Sequence, residues 1–319
     1  MMNAKASAAP SAPDRAATAI HAVESVFVRH SIVEDVIARL KIVRAAGALG
    51  GTAKCFFLLG PSGAGKSQIL RYFAAQYPRI KQEGFDEVPV LYVQMPVKAT
   101  PKAVCEQILQ ELDTPLGKTG SLAELQQRVL KLLRGTKVQV MILDEFNHLI
   151  DAKTDKVQGD AANFVKALLN GCACPIVIAG VPETDGILTR VSQLRRRSMG
   201  RIDLKGFSWN NEADRKVFRA ILLQFDKALP FPVRANLHEE TMAQRILYAT
   251  EGLLGSVAQL LIVAATIATM KQQDRLTNDC LAEAFDEVRM LDANMKLNPF
   301  RRSKLPELQI VETGSSAKR

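Results

Sequence analysis

The chain has 319 residues, room for about two domains of roughly 100–200 residues each, and its 47% hydrophobic and 24% charged content excludes collagen-like, disulfide-scaffold and wholly disordered chains. The net charge of +9, of which the six basic and two acidic residues of 296–319 supply +4, favours a polyanionic partner. The five cysteines, Cys55, Cys105, Cys172, Cys174 and Cys280, are odd in number and lack C-x-x-C spacing, which argues against a disulfide framework or a zinc site and for a reducing cytoplasm.

Residues 1–19 are rich in Ala, Ser and Pro and read as a flexible tail without the apolar stretch of a signal peptide. From Ile20 to about Ala46 the pattern is helical, with Ile32, Val33, Val36, Ile37, Leu40 and Val43 on one face. Ser31 and Glu34 fit a capping box, and Gly47, Gly50 and Gly51 are expected to stop the helix. Apolar runs at 54–60, 88–95, 137–144 and 174–180, with a weaker one at 201–205, read as buried strands. Helical stretches such as 101–112 and 122–133 separate them. Strands without alternation, interleaved with helices, imply a five-stranded parallel sheet covered on both faces, an α/β domain over 20–206. From 207 to 295 only helices follow, at about 211–228, 239–250, 253–271 and 277–291, giving a small all-helical domain that Trp209 is expected to anchor. The uncharged run Leu253–Met270 is interrupted by Gly255, Ser256 and Gln259, so it reads as a buried helix and no membrane contact is expected. Residues 296–319 are expected to form a basic, mobile C-terminal tail.

Gly60-Pro-Ser-Gly-Ala-Gly-Lys-Ser67 fits the phosphate-loop pattern G-x-x-x-x-G-K-[ST] at every fixed position, after the strand Cys55–Leu59 and before a helix over 68–76. Its glycines let successive N–H groups point at phosphate oxygens, and the helix N-terminus adds a favourable dipole. The nucleotide-binding set is therefore Gly60, Pro61, Ser62, Gly63, Ala64, Gly65, Lys66, Ser67 and Gln68. Lys66 can reach the β- and γ-phosphates of ATP, and Ser67 can ligate Mg²⁺.

The run Val138–Leu143 ends in Asp144-Glu145, which puts two carboxylates at the C-terminal edge of a strand, where ligands of open α/β sheets bind. Asp144 is expected to hold the Mg²⁺ shell and Glu145 to orient and deprotonate the attacking water. Arg190, Arg195, Arg196, Arg197 and Arg201 form a basic cluster before the fifth strand. One of them, supplied across a subunit interface, could stabilise charge on the transferred phosphoryl group; a solvated helix end is the alternative. Cys172-Ala-Cys174 reads as small core packing and His148 as structural.

These motifs together resemble the AAA+ ATPases, a P-loop NTPase fold with a helical lid domain. Within them Phe57–Lys66, Ile142–Leu149, Gly180–Glu183, Gln193–Arg197, Glu251–Leu261 and Asn298–Phe300 are similar to the TniB/TnsC family of ATP-dependent regulators of DNA transposition. The resemblance implies Lys66 and Ser67 as nucleotide ligands, Asp144 as the metal-side carboxylate and Glu145 as the catalytic one. Arg197, with Arg196 second, is implied as the finger acting in trans. The polar sensor after the fourth strand falls to Glu183 or Thr184, and Ser256 and Gln259 stand where many AAA+ lids place an Arg, which implies slow hydrolysis.

Two loops are candidates for duplex DNA. Lys98, Thr100 and Lys102 follow the second strand, and Lys118 and Thr119 occupy the next loop. No aromatic of the kind used to thread peptides occurs between 93 and 117. The resemblance implies a homo-oligomeric ring or helical filament that grips the DNA backbone, with a transposase and a target-selection protein as partners and ATP turnover as the means of disassembly. Such contacts position a protein without reading sequence. Competing readings are an AAA+ loader or remodeller of replication or secretion, and an ATP-binding scaffold without turnover.

Overall fold

The computed structural model describes residues 11–50, 53–84, 86–97, 99–113, 119–149, 155–184, 196–289 and 297–302. The chain divides into two compact units: one spans Arg29–Lys205, and the other joins the residues up to Val28 with those from Gly206 onward.

In the unit Arg29–Lys205, five strands form a parallel sheet in the order β4-β5-β6-β1-β7. They are β1 (Cys55–Leu59), β4 (Val90–Gln94), β5 (Val140–Asp144), β6 (Ile176–Gly180) and β7 (Ser198–Asp203). Every residue of β1, β5 and β6 is buried, which requires a cover on both faces. Alternate residues supply the two sides. Phe57, Leu59, Leu91, Val93, Met141, Leu143, Ile176 and Ile178 share a core with α4 (Pro101–Glu111), α5 (Leu122–Gly135) and α6 (Asp155–Gly171). On the other face lie α2 (Ser31–Ala48) and α3 (Lys66–Ala75), which bury Leu40 and Phe73. A short hairpin, β2 (Ile80–Lys81) with β3 (Asp86–Glu87), escaped the sequence reading because two-residue strands carry no periodicity.

Two local expectations for α2 are corrected. Gly47 does not stop the helix, which runs to Ala48; a Cβ at Gly47 would lie 1.8 Å from the carbonyl oxygen of Gln139, so glycine is there for close packing. Ser31 is the first helical residue rather than the cap, which is His30. With His30 as the cap the N3 position falls on Val33, so Glu34 is out of register for a capping box, and its carboxylate accepts instead from Nε and Nη2 of Arg29.

The second unit is helical: α1 (Ala12–Glu24), α7 (Glu212–Ala228), α8 (Glu240–Thr250), α9 (Leu254–Met270) and α10 (Asn278–Arg289). The tail expected over 1–19 gives way to helix from Ala12, begun by a capping box between Ser11 and Asp14. This helix buries Ala19 and Val23 in the same core as Val257, Leu261, Ala264 and Phe285, an amphipathic signal that the alanine-rich composition concealed. Trp209 is buried in that core. Residues 297–302, the described part of the stretch expected as a mobile tail, are instead packed: Phe300 is buried, Asn298 Nδ2 donates to the Ala282 carbonyl at 2.8 Å, and Arg245 Nη1 donates to the Pro299 carbonyl at 2.8 Å. Among the described residues no single helix is long and apolar enough to cross a membrane.

Candidate functional site

Because the strands are parallel, their C-terminal ends share one sheet edge, and the loop after β1 and the carboxylates after β5 meet there with only β6 between them. Two interstrand spacings amount to about 10 Å, the scale of a triphosphate with its cation. The Gly60 N–H donates to the Gly180 carbonyl at 3.1 Å and ties the loop to the end of β6.

The loop from Gly60 to Gly65 turns through left-handed backbone at Gly63 (φ 78°) and Gly65 (φ 90°), conformations costly for any residue with a Cβ. Gly65 is the N-cap of α3 and offers no side chain, so the first N–H groups of the helix are left to an incoming anion. Lys66 is buried, and its Nζ donates to the carbonyls of Gly60 at 2.7 Å and Pro61 at 2.9 Å. Burial holds its ammonium below the ordinary lysine range, against the opposing pull of Glu145 and Asp144. The same lysine can exchange the two carbonyls for phosphate oxygens.

Asp144 is fully buried. Its Oδ1 accepts from the Glu145 N–H at 2.9 Å and its Oδ2 from the Tyr92 hydroxyl at 2.7 Å. A carboxylate has about four lone-pair sites, so these bonds fix the group and leave acceptor capacity. Ser67, half-buried at the second position of α3, adds a hydroxyl. These hard oxygen donors fit Mg²⁺, which keeps several waters and is shared with substrate phosphates; a dedicated cage is not required. Among the described residues no cluster of three or more His, Cys, Asp or Glu forms one.

Glu145 adopts φ 55°, a left-handed conformation at a non-glycine residue. It immediately follows Asp144, and its carbonyl accepts from the His148 N–H, opening the 3-10 turn Phe146–Leu149 on which half-buried His148 lies. Beyond β6, Glu183 is exposed while Thr184 is buried with its Oγ1 unpartnered. Asn147 Oδ1 is also buried and unpartnered. Both oxygens crowd Gly180, where a Cβ would lie 2.6 Å from Thr184 Oγ1 and 3.4 Å from Asn147 Oδ1.

Sequence reasoning missed Asn147, Tyr92, Arg71 and Gln94. Arg71 on α3 donates from Nε to Tyr92 Oη at 3.2 Å and from Nη2 to Gln94 Oε1 at 2.9 Å. Burial, reinforced by Asp144, holds the Tyr92 phenol well above its ordinary range, so it remains a donor. A signal was present: Tyr92 and Gln94 are polar-capable residues at alternate positions of an otherwise apolar strand, hence on one face.

The arginines lie elsewhere. The Arg197 carbonyl accepts from the N–H of Cys55, the first residue of β1, so Arg196 and Arg197 sit at the sheet edge opposite the phosphate loop. Arg196 is exposed, and Arg197 Nη1 donates to the Leu169 carbonyl at 2.8 Å. Arg201 lies in β7, paired with Asp203; Arg190 and Arg195 lie outside the described residues. Of the DNA candidates, Thr100 is the N-cap of α4, its Oγ1 accepting from the Ala103 N–H at 3.2 Å, and Lys102 is exposed in the first turn. Thr119 is exposed and its carbonyl accepts from Arg128; Lys98 and Lys118 lie outside the described residues. Ser256 and Gln259 fall in the first turns of α9. Cys172 and Cys174 are buried in the sheet core, as expected of packing residues.

A family model described as "Bacterial TniB protein" matches residues 19–207. Three solved structures are similar in fold. The Aeropyrum pernix ORC1 protein in complex with DNA has 20% identity and a TM-score of 0.62, covering 85% of this chain and 69% of its own. The ORC2 protein of the same organism, in ADPNP–ADP complexes, has 14% identity and a TM-score of 0.60, with 85% and 70% covered. Cdc6p from Pyrobaculum aerophilum has 17% identity and a TM-score of 0.61, with 84% and 70% covered. At such identities the likeness is one of fold, the five-stranded α/β sheet and helical region of the AAA+ ATPases. No curated protein matches the sequence.

Proposed function

This chain belongs to the bacterial TniB family, and from that premise we propose that it is an ATP-dependent, sequence-nonspecific DNA-binding protein of DNA transposition. The observation that carries the reading is the single sheet edge at which Lys66, Ser67, Asp144 and Glu145 converge. In this proposal the backbone from Gly60 to Gln68 cradles the triphosphate, and Lys66 releases the loop carbonyls to pair with the β- and γ-phosphates. Asp144 and Ser67 hold Mg²⁺, which neutralises charge on the phosphate oxygens when bound. Glu145 orients and deprotonates the attacking water. Thr184 and Asn147 offer their unpaired oxygens to that water or its neighbours.

Arg196 or Arg197 acts on the nucleotide of an adjoining protomer, which makes ATP the glue of a ring or helical filament. Thr100, Lys102, Thr119 and the lysines Lys98 and Lys118 contact the DNA backbone, consistent with the net charge of +9. A transposase and a target-selection protein dock on the assembly, and slow hydrolysis releases it. Ser256 and Gln259, uncharged where an arginine would speed turnover, support the slow rate.

Electron microscopy of the purified protein with long duplex DNA tests the reading. DNA-coating rings or filaments are expected with ATP or a slowly hydrolysed analogue and not with ADP. Particles that stay solitary in every nucleotide state at low salt would overturn it.

A further inference from the structure

Asp144 has no contact with solvent, so protein donors rather than water hold its carboxylate. One is the rigid backbone N–H of Glu145; the other is a side chain from a different strand, Tyr92. The direction of that second bond is forced. A guanidinium carries only donors, so at the Arg71–Tyr92 contact the phenol oxygen must accept. Its single proton is thereby left for Asp144 Oδ2, 2.7 Å away. Arg71 is itself held at a second point by Gln94, which pairs in register with Asp144 across the sheet. Arg71 also lies four residues beyond Ser67 on α3, one turn along the same helix face.

We propose that Tyr92, held by Arg71, is a positioning residue for the Asp144 carboxylate and thereby sets the divalent-cation affinity of the nucleotide site. The chain Arg71–Tyr92–Asp144 links the helix that carries Ser67 to the strand that carries Asp144. The two oxygen groups offered to the cation are therefore placed by one continuous set of bonds. Loss of the phenol hydroxyl leaves the buried carboxylate held by the Glu145 N–H alone, so Oδ2 loses its anchor, while the ring keeps its place beneath the Arg71 guanidinium, 5.7 Å from the ring centre. Hydrogen-bond partners behind a metal ligand typically tune metal affinity by about 10–100-fold.

The inference rests on the proposed nucleotide reading, and the test separates the two. A fluorescent, non-hydrolysable ATP analogue is titrated into the full chain, first in EDTA and then at graded Mg²⁺. For Tyr92→Phe the EDTA affinity is expected to match the parent, while the Mg²⁺ needed for half-maximal enhancement rises about tenfold. Arg71→Gln, at an exposed helix position that threatens folding little, is expected to shift it in the same direction by less. The double variant is expected to resemble Tyr92→Phe alone, because both act through one bond. An unchanged Mg²⁺ midpoint in Tyr92→Phe, or an EDTA affinity that falls as much as the Mg²⁺ affinity, overturns the positioning role. A parent that binds no analogue under either condition overturns the nucleotide reading and this inference with it.

Discussion

Arg197 donates to the carbonyl of Leu169 at 2.8 Å, at the edge of the sheet opposite its own phosphate loop. The five residues of β1 separate the two, about 16 Å of extended chain, beyond the reach of an arginine. Neither Arg196 nor Arg197 can therefore serve its own triphosphate. Arg196→Ala is expected to lower assembly-dependent turnover with little change in melting temperature, since it is an exposed residue. Arg197→Ala is expected to lose turnover and also about 1–3 kcal/mol of stability, because the carbonyl near the end of α6 loses a charged donor. Mixing the double Arg196→Ala, Arg197→Ala variant with Lys66→Ala restores one competent seam, where the Lys66→Ala protomer lends its arginines to an intact loop. Steady-state hydrolysis of the mixture should exceed the sum of its parts. A mixture as inactive as its components would remove the trans assignment.

Glu145 combines two effects that substitution can pull apart. Its left-handed φ of 55° is a strain of about 1–2 kcal/mol for a residue with a Cβ, and its carboxylate is the proposed base. Glu145→Gln keeps the backbone cost and removes the base, so nucleotide binding and assembly should persist while hydrolysis falls by about 10²–10⁴-fold. Glu145→Gly also removes the base but relieves the strain. Chemical denaturation should find the glycine variant about 1 kcal/mol more stable than the glutamine variant. Equal stabilities would mean the turn is not strained, and unchanged hydrolysis in Glu145→Gln would place the base elsewhere.

The parts of this site that were legible in sequence are those that lie contiguously along it. Gly60–Ser67 and Asp144-Glu145 announce themselves because a phosphate loop needs its glycines, lysine and hydroxyl at fixed spacing. The parallel sheet then brings the two segments to one edge without further information. Arg71, Tyr92 and Asp144 are far apart in sequence and meet only through the β4–β5 register, which composition and periodicity do not encode. The same holds for Asn147 and Thr184 above Gly180. In the fold, the uninterrupted apolar runs marked the strands, whereas the part of α1 before Ile20 was lost because an alanine-rich helix that buries few large side chains looks like linker until its packing partner is known.

The DNA candidates carry a structural confound at Thr100. Its hydroxyl caps α4, so Thr100→Ala is expected to cost about 1 kcal/mol of stability whether or not DNA is present. Thr100→Ser should retain the cap and DNA affinity alike. The clean probes are the lysines. Lys98→Ala and Lys102→Ala should each weaken duplex binding equally across unrelated sequences and reduce the slope of log affinity against log salt by about 1. Fluorescence anisotropy over a salt series measures both quantities. A lysine variant that leaves the slope unchanged does not contact phosphate.

Thr184 offers the sharpest trade between stability and turnover. Its hydroxyl is buried without a hydrogen-bond partner beside the equally unpaired Asn147 Oδ1, and an orphaned polar atom of this kind costs about 1–3 kcal/mol. Thr184→Val replaces the hydroxyl with a methyl of nearly the same volume, so the nucleotide-free protein should unfold at a higher temperature. If that oxygen meets the attacking water once ATP is bound, the same variant should lower single-turnover hydrolysis while leaving analogue affinity close to the parent's. Asn147→Ala should show the hydrolytic loss without the stabilisation, because truncation opens a cavity as it removes the acceptor. A Thr184→Val protein that melts earlier than the parent would reveal a bond to the hydroxyl in the empty state, and its role would then be to hold the end of β6 rather than to face the nucleotide.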